Sequence, residues 1–420
     1  MLFLYNLIVH MAGFFLKIAS VFSPKIKLFV YGRKHVFDTL KTKLNDNDKI
    51  IWFHAASLGE YEQGLPVIEK IKEQFPNHKI VITFFSPSGY EVRKNNSVAD
   101  VTVYLPLDTK SNAKKFLKIV RPEMAFFIKY EYWPNYLNQL KKQQIKTYLI
   151  SGIFRKNQSF FKLYGGFYRN ILKNFDYFFV QNESSKNLLL SIGFSNVKIS
   201  GDTRFDRVVS ILERDNSLDF IEKFKKNSST ALGTTKLIVI GSSWTKDENL
   251  FINYINESKN LKFIIAPHNI DRKFIQEFNS KISKKIVLFS EKDGKNLEDF
   301  DVFIIDTIGI LTKIYSYADL AYVGGGFGNP GVHNLLEPAT FGIPIVVGTN
   351  YSHFAEATAL VNLGGCISIS NEKQLRKTLN NLIQNEDVRL EKGHICSTFV
   401  QMNKGAAEIV LKNISSNFIN

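Results

Sequence analysis

Residues 50–85 read IIWFHAASLGEYEQGLPVIEKIKEQFPNHKIVITFF. The stretch opens on one apolar run, IIWFHA (50–55), and closes on another, KIVITFF (79–85). Residues 61–75 between them carry the spacing of an amphipathic helix. Strand, helix, strand in this order is the unit of a parallel sheet with helices laid on its faces. Both runs are almost continuously apolar, which suits strands covered on both sides.

The same rhythm extends outward. VTVYLP (101–106), MAFFIKY (124–130), KTYLIS (146–151), DYFFVQ (176–181) and a short KIS (198–200) read as further strands, with helix-like stretches at 112–120 and 133–142. A second series follows: KLIVIGS (236–242), LKFIIAP (261–267), KIVLFS (285–290), DVFIID (301–306), LAYVGG (320–325), PIVVG (344–348) and CISIS (366–370). The polar, charged stretch RDNSLDFIEKFKKNSSTALGTT (214–235) separates the two. The chain has 420 residues, too many for one ordinary core and right for two domains of roughly 200 each. We place the domains at 25–207 and 208–420, the last helices of the second being able to pack back on the first. Two Rossmann-like α/β domains in tandem imply a cleft between them. Ligands of such sheets bind at the carboxyl ends of strands.

Lys and Arg number 54 against 39 Asp and Glu, so 54 − 39 gives +15. The excess is not gathered in one tail, which argues against a nucleic-acid-binding arm. An anionic membrane, an anionic substrate, or a Lys-rich composition with no function of its own also accounts for it. With 45% hydrophobic and 22% charged residues the chain is neither disordered nor fibrous. Two cysteines, Cys366 and Cys396, are too few for a disulfide framework or a thiolate zinc site, and Cys366 reads as core. No cluster of metal ligands is evident.

Residues 1–22, MLFLYNLIVHMAGFFLKIASVF, are mainly apolar but interrupted by Asn6, His10 and Lys17. A spanning helix takes ~20 apolar residues. No Lys or Arg precedes residue 17, so a cleaved secretory signal is not indicated. We read residues 1–24 as a membrane anchor, either a single span or an interfacial helix, in preference to a buried core helix. The basic flank Lys25, Lys27, Arg33, Lys34 and His35 then sets the body of the chain on the cytoplasmic side.

The strand ends carry the chemistry. The first is His54-Ala-Ala-Ser57-Leu-Gly-Glu60, which lacks the GxGxxG of dinucleotide binding. Ser57 and Glu60 have capping-box spacing; alternatively Glu60 is a general base facing the cleft. Lys129-Tyr-Glu131-Tyr132-Trp133-Pro134 ends another strand, with Glu131 either a second cleft carboxylate or an acidic residue at a helix start, and the two aromatics core. Arg204, in Gly201-Asp202-Thr-Arg204-Phe-Asp206, either faces a leaving phosphate or pairs with Asp202 or Asp206. In the second half, small or polar residues end four strands: Gly241-Ser-Ser-Trp244, Ala266-Pro267-His268-Asn269, Asp306-Thr-Ile308-Gly309, and the glycine-rich 324–331. A helix starting near His333 would aim amides at an anion, and Glu337 one turn in would bind ribose hydroxyls. Together they point to a nucleotide site. No GxxxxGK[ST] supports an ATPase.

HAASLGE (54–60), KYEYWPN (129–135), GDTRFD (201–206), DTIGIL (306–311) and GVHNLLEPA (331–339) occur in this order. As a set they resemble the Kdo transferases of lipopolysaccharide synthesis, and through them other glycosyltransferases of the GT-B fold. The resemblance runs from the N-terminal anchor to about residue 360. It implies two Rossmann-like domains facing each other across a cleft, and transfer of 3-deoxy-D-manno-octulosonic acid (Kdo) from CMP-Kdo to a lipid A precursor at the inner leaflet. It implies that Glu60 is the base, Glu131 a second acidic residue assisting the transition state, and Arg204 a cation where the family usually has Lys. Pro267 and His268 fall where Pro-Arg is usual. Ile308, Gly309 and Ile310 match a turn often written Met-Gly-Glu, without its acid. Asn334, Leu335, Leu336 and Glu337 match the second CMP segment. No metal, other cofactor or nucleic-acid partner is implied. Two other readings fit the strand ends: a GT-B transferase using a UDP-sugar, and a membrane-tethered nucleotide-binding protein without catalysis.

Overall fold

The computed structural model of the chain describes residues 1–95, 98–226 and 235–418; part of the expected linker, 227–234, lies outside the described residues. The chain forms two compact units. Met1–Arg207 and the stretch from Lys404 make the first, and Val208–Asn403 the second.

The first unit holds a seven-stranded sheet. Its strands are β1 (Lys49–Ala55), β2 (His78–Phe84), β3 (Val101–Tyr104), β4 (Met124–Ile128), β5 (Lys146–Gly152), β6 (Tyr177–Val180) and β7 (Val197–Ile199). All pair in parallel, in the order β3-β2-β1-β4-β5-β6-β7. Alternation along β1 explains why its run is apolar throughout. Ile50 and Trp52 enter one core with Val81, Phe116, Phe127 and Tyr136. Ile51 and Phe53 enter the other with Ile82, Phe126, Val67 and Ile68. Each fully buried side chain of this size contributes about 1.5–3 kcal/mol. The chain reverses direction across the sheet between β1 and β4. That is the switch point where open α/β sheets leave a crevice.

The expected helices stand at Leu58–Gln74, Lys110–Val120 and Pro134–Lys142. Pro134 takes the first helical turn, where its missing N–H is harmless. Buried Asp108 accepts from the N–H groups of Asn135 and Tyr136 (both 3.1 Å), fixing that helix start. The terminal helix Ala406–Phe418 lies in the first unit, with Ala407, Val410 and Ile414 in the core beside Val67 and Ile71. Asp206 accepts from the N–H groups of Gly405 and Ala406 at its start.

The N-terminal helix Leu2–Ala19 is not a core helix: none of its residues is buried. It still has two faces. Tyr5, Asn6, Val9, Gly13 and Leu16, at helical spacing, are the half-buried stripe. Tyr5 donates to Asp108 (2.7 Å), Asn135 donates to Asn6 (2.8 Å), and Gly13 lies against Leu107. Phe3, Leu7, Ile8, Met11, Phe14, Phe15 and Ile18 are exposed on the remaining surface. In the basic flank, Arg33 turns inward rather than out. Its guanidinium donates to the carbonyls of Phe29, Leu105 and Phe85 and lies over the Phe29 ring. Burial pulls it down to about 10, still charged at neutral pH. Lys34 and His35 are exposed.

The second unit holds β8 (Lys236–Ser243), β9 (Leu261–Pro267), β10 (Ile286–Leu288), β11 (Val302–Ile304), β12 (Leu320–Val323), β13 (Ile345–Val347) and β14 (Cys366–Ser368). The parallel order is β10-β11-β9-β8-β12-β13-β14, with its switch point between β8 and β12. The helix expected near His333 begins only at Leu336 and runs five residues. Asn334 holds the turn before it, its carbonyl oxygen accepting from the N–H of Leu336 (3.1 Å). Glu337 is therefore in the first turn, not one turn further in. Cys366 and Cys396 are free and buried.

Candidate functional site

In the first unit the site assembles at the β1/β4 switch point. Past β1 the chain turns at Ser57 into the helix Leu58–Gln74. The Glu60 carboxylate reaches back to this helix start, accepting from the Ser57 N–H (2.9 Å) and hydroxyl (3.0 Å) through one oxygen. The capping and the catalytic readings of Glu60 are thus compatible, because capping occupies only Oε2. Glu60 is half-buried. Burial and, next, the charge of Glu131 push its pKa up, against the Ser57 hydrogen bonds.

Past β4, Lys129 adopts a left-handed backbone (φ 69°), a conformation costing a residue with a Cβ about 1–3 kcal/mol. The turn that follows brings Glu131 back beneath the crevice, 7% exposed. Its Oε2 lies 3.0 Å from His54 Nε2 and accepts from Trp133 Nε1 (2.6 Å). Tyr132 packs against Phe160 and Phe154, as core. Trp133 is more than core, since its N–H holds a carboxylate. Burial, and then the charge of Arg204, pull the Lys129 pKa down.

Arg204 follows β7 at the start of the helix Thr203–Val209. Its Nε and Nη2 reach Asp202 at 2.8 and 2.7 Å. Asp202 is a partner, and Asp206 accepts from the start of the terminal helix. The pair is half-exposed on the arginine side, and such ion pairs contribute little to stability.

In the second unit, residues past β8 and β12 meet at the other switch point. Fully buried Asp247 accepts from the N–H of Trp244 (2.9 Å), the N–H of Gly325 (2.9 Å) and the hydroxyl of Tyr322 (2.6 Å). It ties the glycine-rich loop to the end of β8. The glycines there admit backbone to backbone. A Cβ on Gly326 would lie 2.6 Å from the Gly348 Cα. Trp244, His268 and His333 form a ring cluster, with His268 stacked 4.5 Å from each of the other two. Trp244 donates to His333 Nε2 (2.9 Å), so the neutral His333 proton sits on Nδ1. Burial and, next, His268 pull the His333 pKa down. Pro267 lines a cavity of about 210 Å³ with Trp244, Glu248, Asn269, Phe274 and Phe278.

The remaining expected nucleotide residues divide. Ile308 and Gly309 are exposed in the turn after β11, and Ile310 precedes the helix Leu311–Tyr315. Asn334 and Glu337 are hydrogen-bonded to each other (3.0 Å), and Glu337 also accepts from Thr312 (2.8 Å). Leu335 and Leu336 have fully buried side chains, leaving only backbone to present. Sequence reasoning missed Asp247 and gave no role to His54 or Thr83. An acidic residue in the first turn of the helix after β8 is the signal that would have found the first. No group of three or more His, Cys, Asp or Glu side chains among the described residues is placed to hold a metal.

Two doubly wound parallel sheets, each with its chemistry at the switch point, define the GT-B fold. A solved structure of UDP-GlcNAc 2-epimerase from Neisseria meningitidis bound to UDP-GlcNAc shares it, with TM-score 0.59 at 16% identity over 88% of this chain and 100% of that one. Within that fold the sequence is specific. A family model described as 3-deoxy-D-manno-octulosonic-acid transferase (kdotransferase) matches residues 32–207. The 3-deoxy-D-manno-octulosonic acid transferase of Chlamydophila psittaci is 29% identical over 365 residues, 83% of each chain. That of Aquifex aeolicus is 28% identical over 364 residues, 84% of this chain and 91% of that one. The chain is a homologue of the Kdo transferases.

Proposed function

We propose that the protein is a glycosyltransferase that moves Kdo from CMP-Kdo to a lipid A precursor. The observation that carries this is the meeting of Glu60 and Glu131 at the β1/β4 switch point, in a chain homologous to Kdo transferases over most of its length. Two carboxylates in different environments suit two roles. Glu60, with one oxygen uncommitted to its cap, takes the proton of an acceptor hydroxyl. The hydroxyl oxygen forms the new bond to the anomeric carbon of Kdo. The bond from that carbon to the CMP phosphate oxygen breaks, and CMP leaves with the electron pair. Glu131 offsets the positive charge that grows on the anomeric carbon, and Arg204 the negative charge that grows on the phosphate. We assign the nucleotide to Pro267, His268, the turn 308–310 and residues 334–337 of the second unit. Incubating the protein with CMP-Kdo and a lipid A precursor, and weighing the lipid by mass spectrometry, tests the reading. The expected product is heavier by whole Kdo units. Turnover with UDP-sugars and none with CMP-Kdo would replace it with the UDP-sugar reading.

The same reading places the chain on the inner membrane's cytoplasmic leaflet. A helix hydrogen-bonded along one side to a water-soluble body is suited to lie in the interface, not to cross it. The exposed Phe14 and Phe15 supply the apolar face, and Lys17, Lys25 and Lys27 meet anionic headgroups. Changing Phe14 and Phe15 together to Asp is expected to lower binding to anionic vesicles more than tenfold in a flotation assay, with the thermal midpoint unchanged. Undiminished flotation of the variant would remove the helix from the membrane contact.

A further inference from the structure

His54 continues the face of β1 that carries Ile50 and Trp52, and is fully buried. Register places it opposite Thr83 on β2 and Phe127 on β4. A fully buried imidazole demands partners on both nitrogens. His54 Nδ1 lies 2.8 Å from Thr83 Oγ1, and Nε2 lies 3.0 Å from Glu131 Oε2. Trp52 Nε1 donates to the same Thr83 oxygen (2.8 Å). Trp133 Nε1 lies 2.6 Å from Glu131 Oε2 and 2.9 Å from His54 Nε2.

These distances admit one proton arrangement for a neutral imidazole. A bare Nε2 facing a carboxylate oxygen at 3.0 Å would set two lone pairs against each other, so Nε2 carries the hydrogen. The Thr83 hydroxyl then donates to Nδ1, 2.8 Å away, in preference to the Phe53 carbonyl, which lies 3.4 Å from the same hydroxyl oxygen. Thr83 in turn uses its oxygen to accept from Trp52. The Trp133 N–H goes to Glu131, since Nε2 has no lone pair to offer. The result is a directed chain, Trp52 to Thr83 to His54 to Glu131, with Trp133 converging on the same oxygen. It leaves Oε1 of Glu131 as the oxygen available to a ligand.

We infer that His54 and Trp133 are positioning residues for Glu131, and that the Thr83 hydroxyl, by donating to Nδ1, holds the His54 ring in place to do so. The Thr83 backbone carbonyl also lies near Nδ1, at 3.1 Å, and has no hydrogen to offer it. Without the hydroxyl, Nδ1 loses its donor, and the ring is held on the Glu131 side alone. Among the described residues, Glu131 faces His54 directly. β2 presents Thr83 to it, and β4 presents Phe127.

The rate arm of the test rests on the Kdo-transfer reading; the spectroscopic arm does not. In histidine-labelled protein, nitrogen NMR is expected to show His54 as the Nε2–H tautomer in the parent and in Thr83→Ser. In the transfer assay, Thr83→Val and His54→Leu are expected to lower kcat about 10–100-fold with KM for either substrate within threefold, since a small misplacement of a catalytic group costs on that order. Thr83→Ser and His54→Gln, which restore the hydroxyl and the N–H, are expected to return to within about fivefold of the parent. An Nδ1–H or doubly protonated His54 in the parent overturns the inference. So does an unchanged kcat in folded Thr83→Val and His54→Leu. If those variants fail to fold, the parent tautomer and the Ser and Gln variants decide it. A parent that shows the Nε2–H tautomer but transfers no Kdo would sink the functional reading and leave the relay standing.

Discussion

Glu60→Gln is expected to lower Kdo transfer by about 10²–10⁴-fold, the range that a positioned general base supplies. Glutamine keeps the shape and the hydrogen bonds at the helix start but cannot take the acceptor's proton. CMP-Kdo binding, assigned to the other unit, is expected to stay within about threefold, measured by calorimetry on the same preparation. Near-normal turnover of the variant would end the assignment of Glu60 as the base. The pH profile adds a second check. The base works deprotonated, so the rate falls as pH drops through the Glu60 pKa. Burial and the Glu131 charge hold that pKa above the ordinary value of 4.5. The acid limb of kcat/KM is therefore expected above that value. Glu131→Gln removes one raising influence, so what activity remains should keep its acid limb at lower pH than the parent. A limb that stays in place would mean that the two carboxylates do not sense each other.

Gly326→Ala is expected to destabilise the second unit by about 3 kcal/mol, at the upper end of ordinary overpacking. The added methyl would meet the Gly348 backbone at 2.6 Å, and a backbone cannot swing aside as a side-chain tip can. The same stretch is tied on both sides, since Asn350 N–H donates to the Gly326 carbonyl (2.8 Å) and Asn350 Nδ2 to the Gly328 carbonyl (2.7 Å). Moving it disturbs the turn that leads to Asn334 and Glu337. Thermal unfolding should show the loss in the second unit, together with weaker CMP binding. An alanine variant with an unchanged midpoint would mean that the loop can shift at little cost. Gly59→Ala is the control, since a Cβ there meets nothing within 4 Å.

Periodicity made most of the fold legible. Each strand is a short apolar run whose alternate residues enter opposite cores, as Ile50 and Trp52 separate from Ile51 and Phe53. Such runs can be read without knowing their neighbours, because burial on both faces removes the need for any polar position. The helix after Gly331 was misplaced for the opposite reason. Its start is set by Asn334 and by loop contacts to Gly324 and Asn350, which periodicity does not contain.

The site divides along the same line. By itself the sequence determined that small, polar and acidic residues stand at the ends of strands, because the apolar runs mark where each strand stops; which of those ends face a crevice follows from the strand order within each sheet. It also offered Glu60 and Glu131 as acidic residues at such ends, each with a helix-start reading beside the catalytic one. Only the tertiary structure decided how each is held. His54 and Thr83 are 29 residues apart and meet through strand register; His54 and Glu131 are 77 apart and meet through the turn after β4. Hydrogen bonds between such residues depend on distances of a few tenths of an ångström, and the packing of the two cores sets those. The N-terminal helix follows the same division. Its composition marks an apolar surface, but the stripe that Tyr5, Asn6 and Gly13 turn toward the body exists only once Asp108, Asn135 and Leu107 are in place.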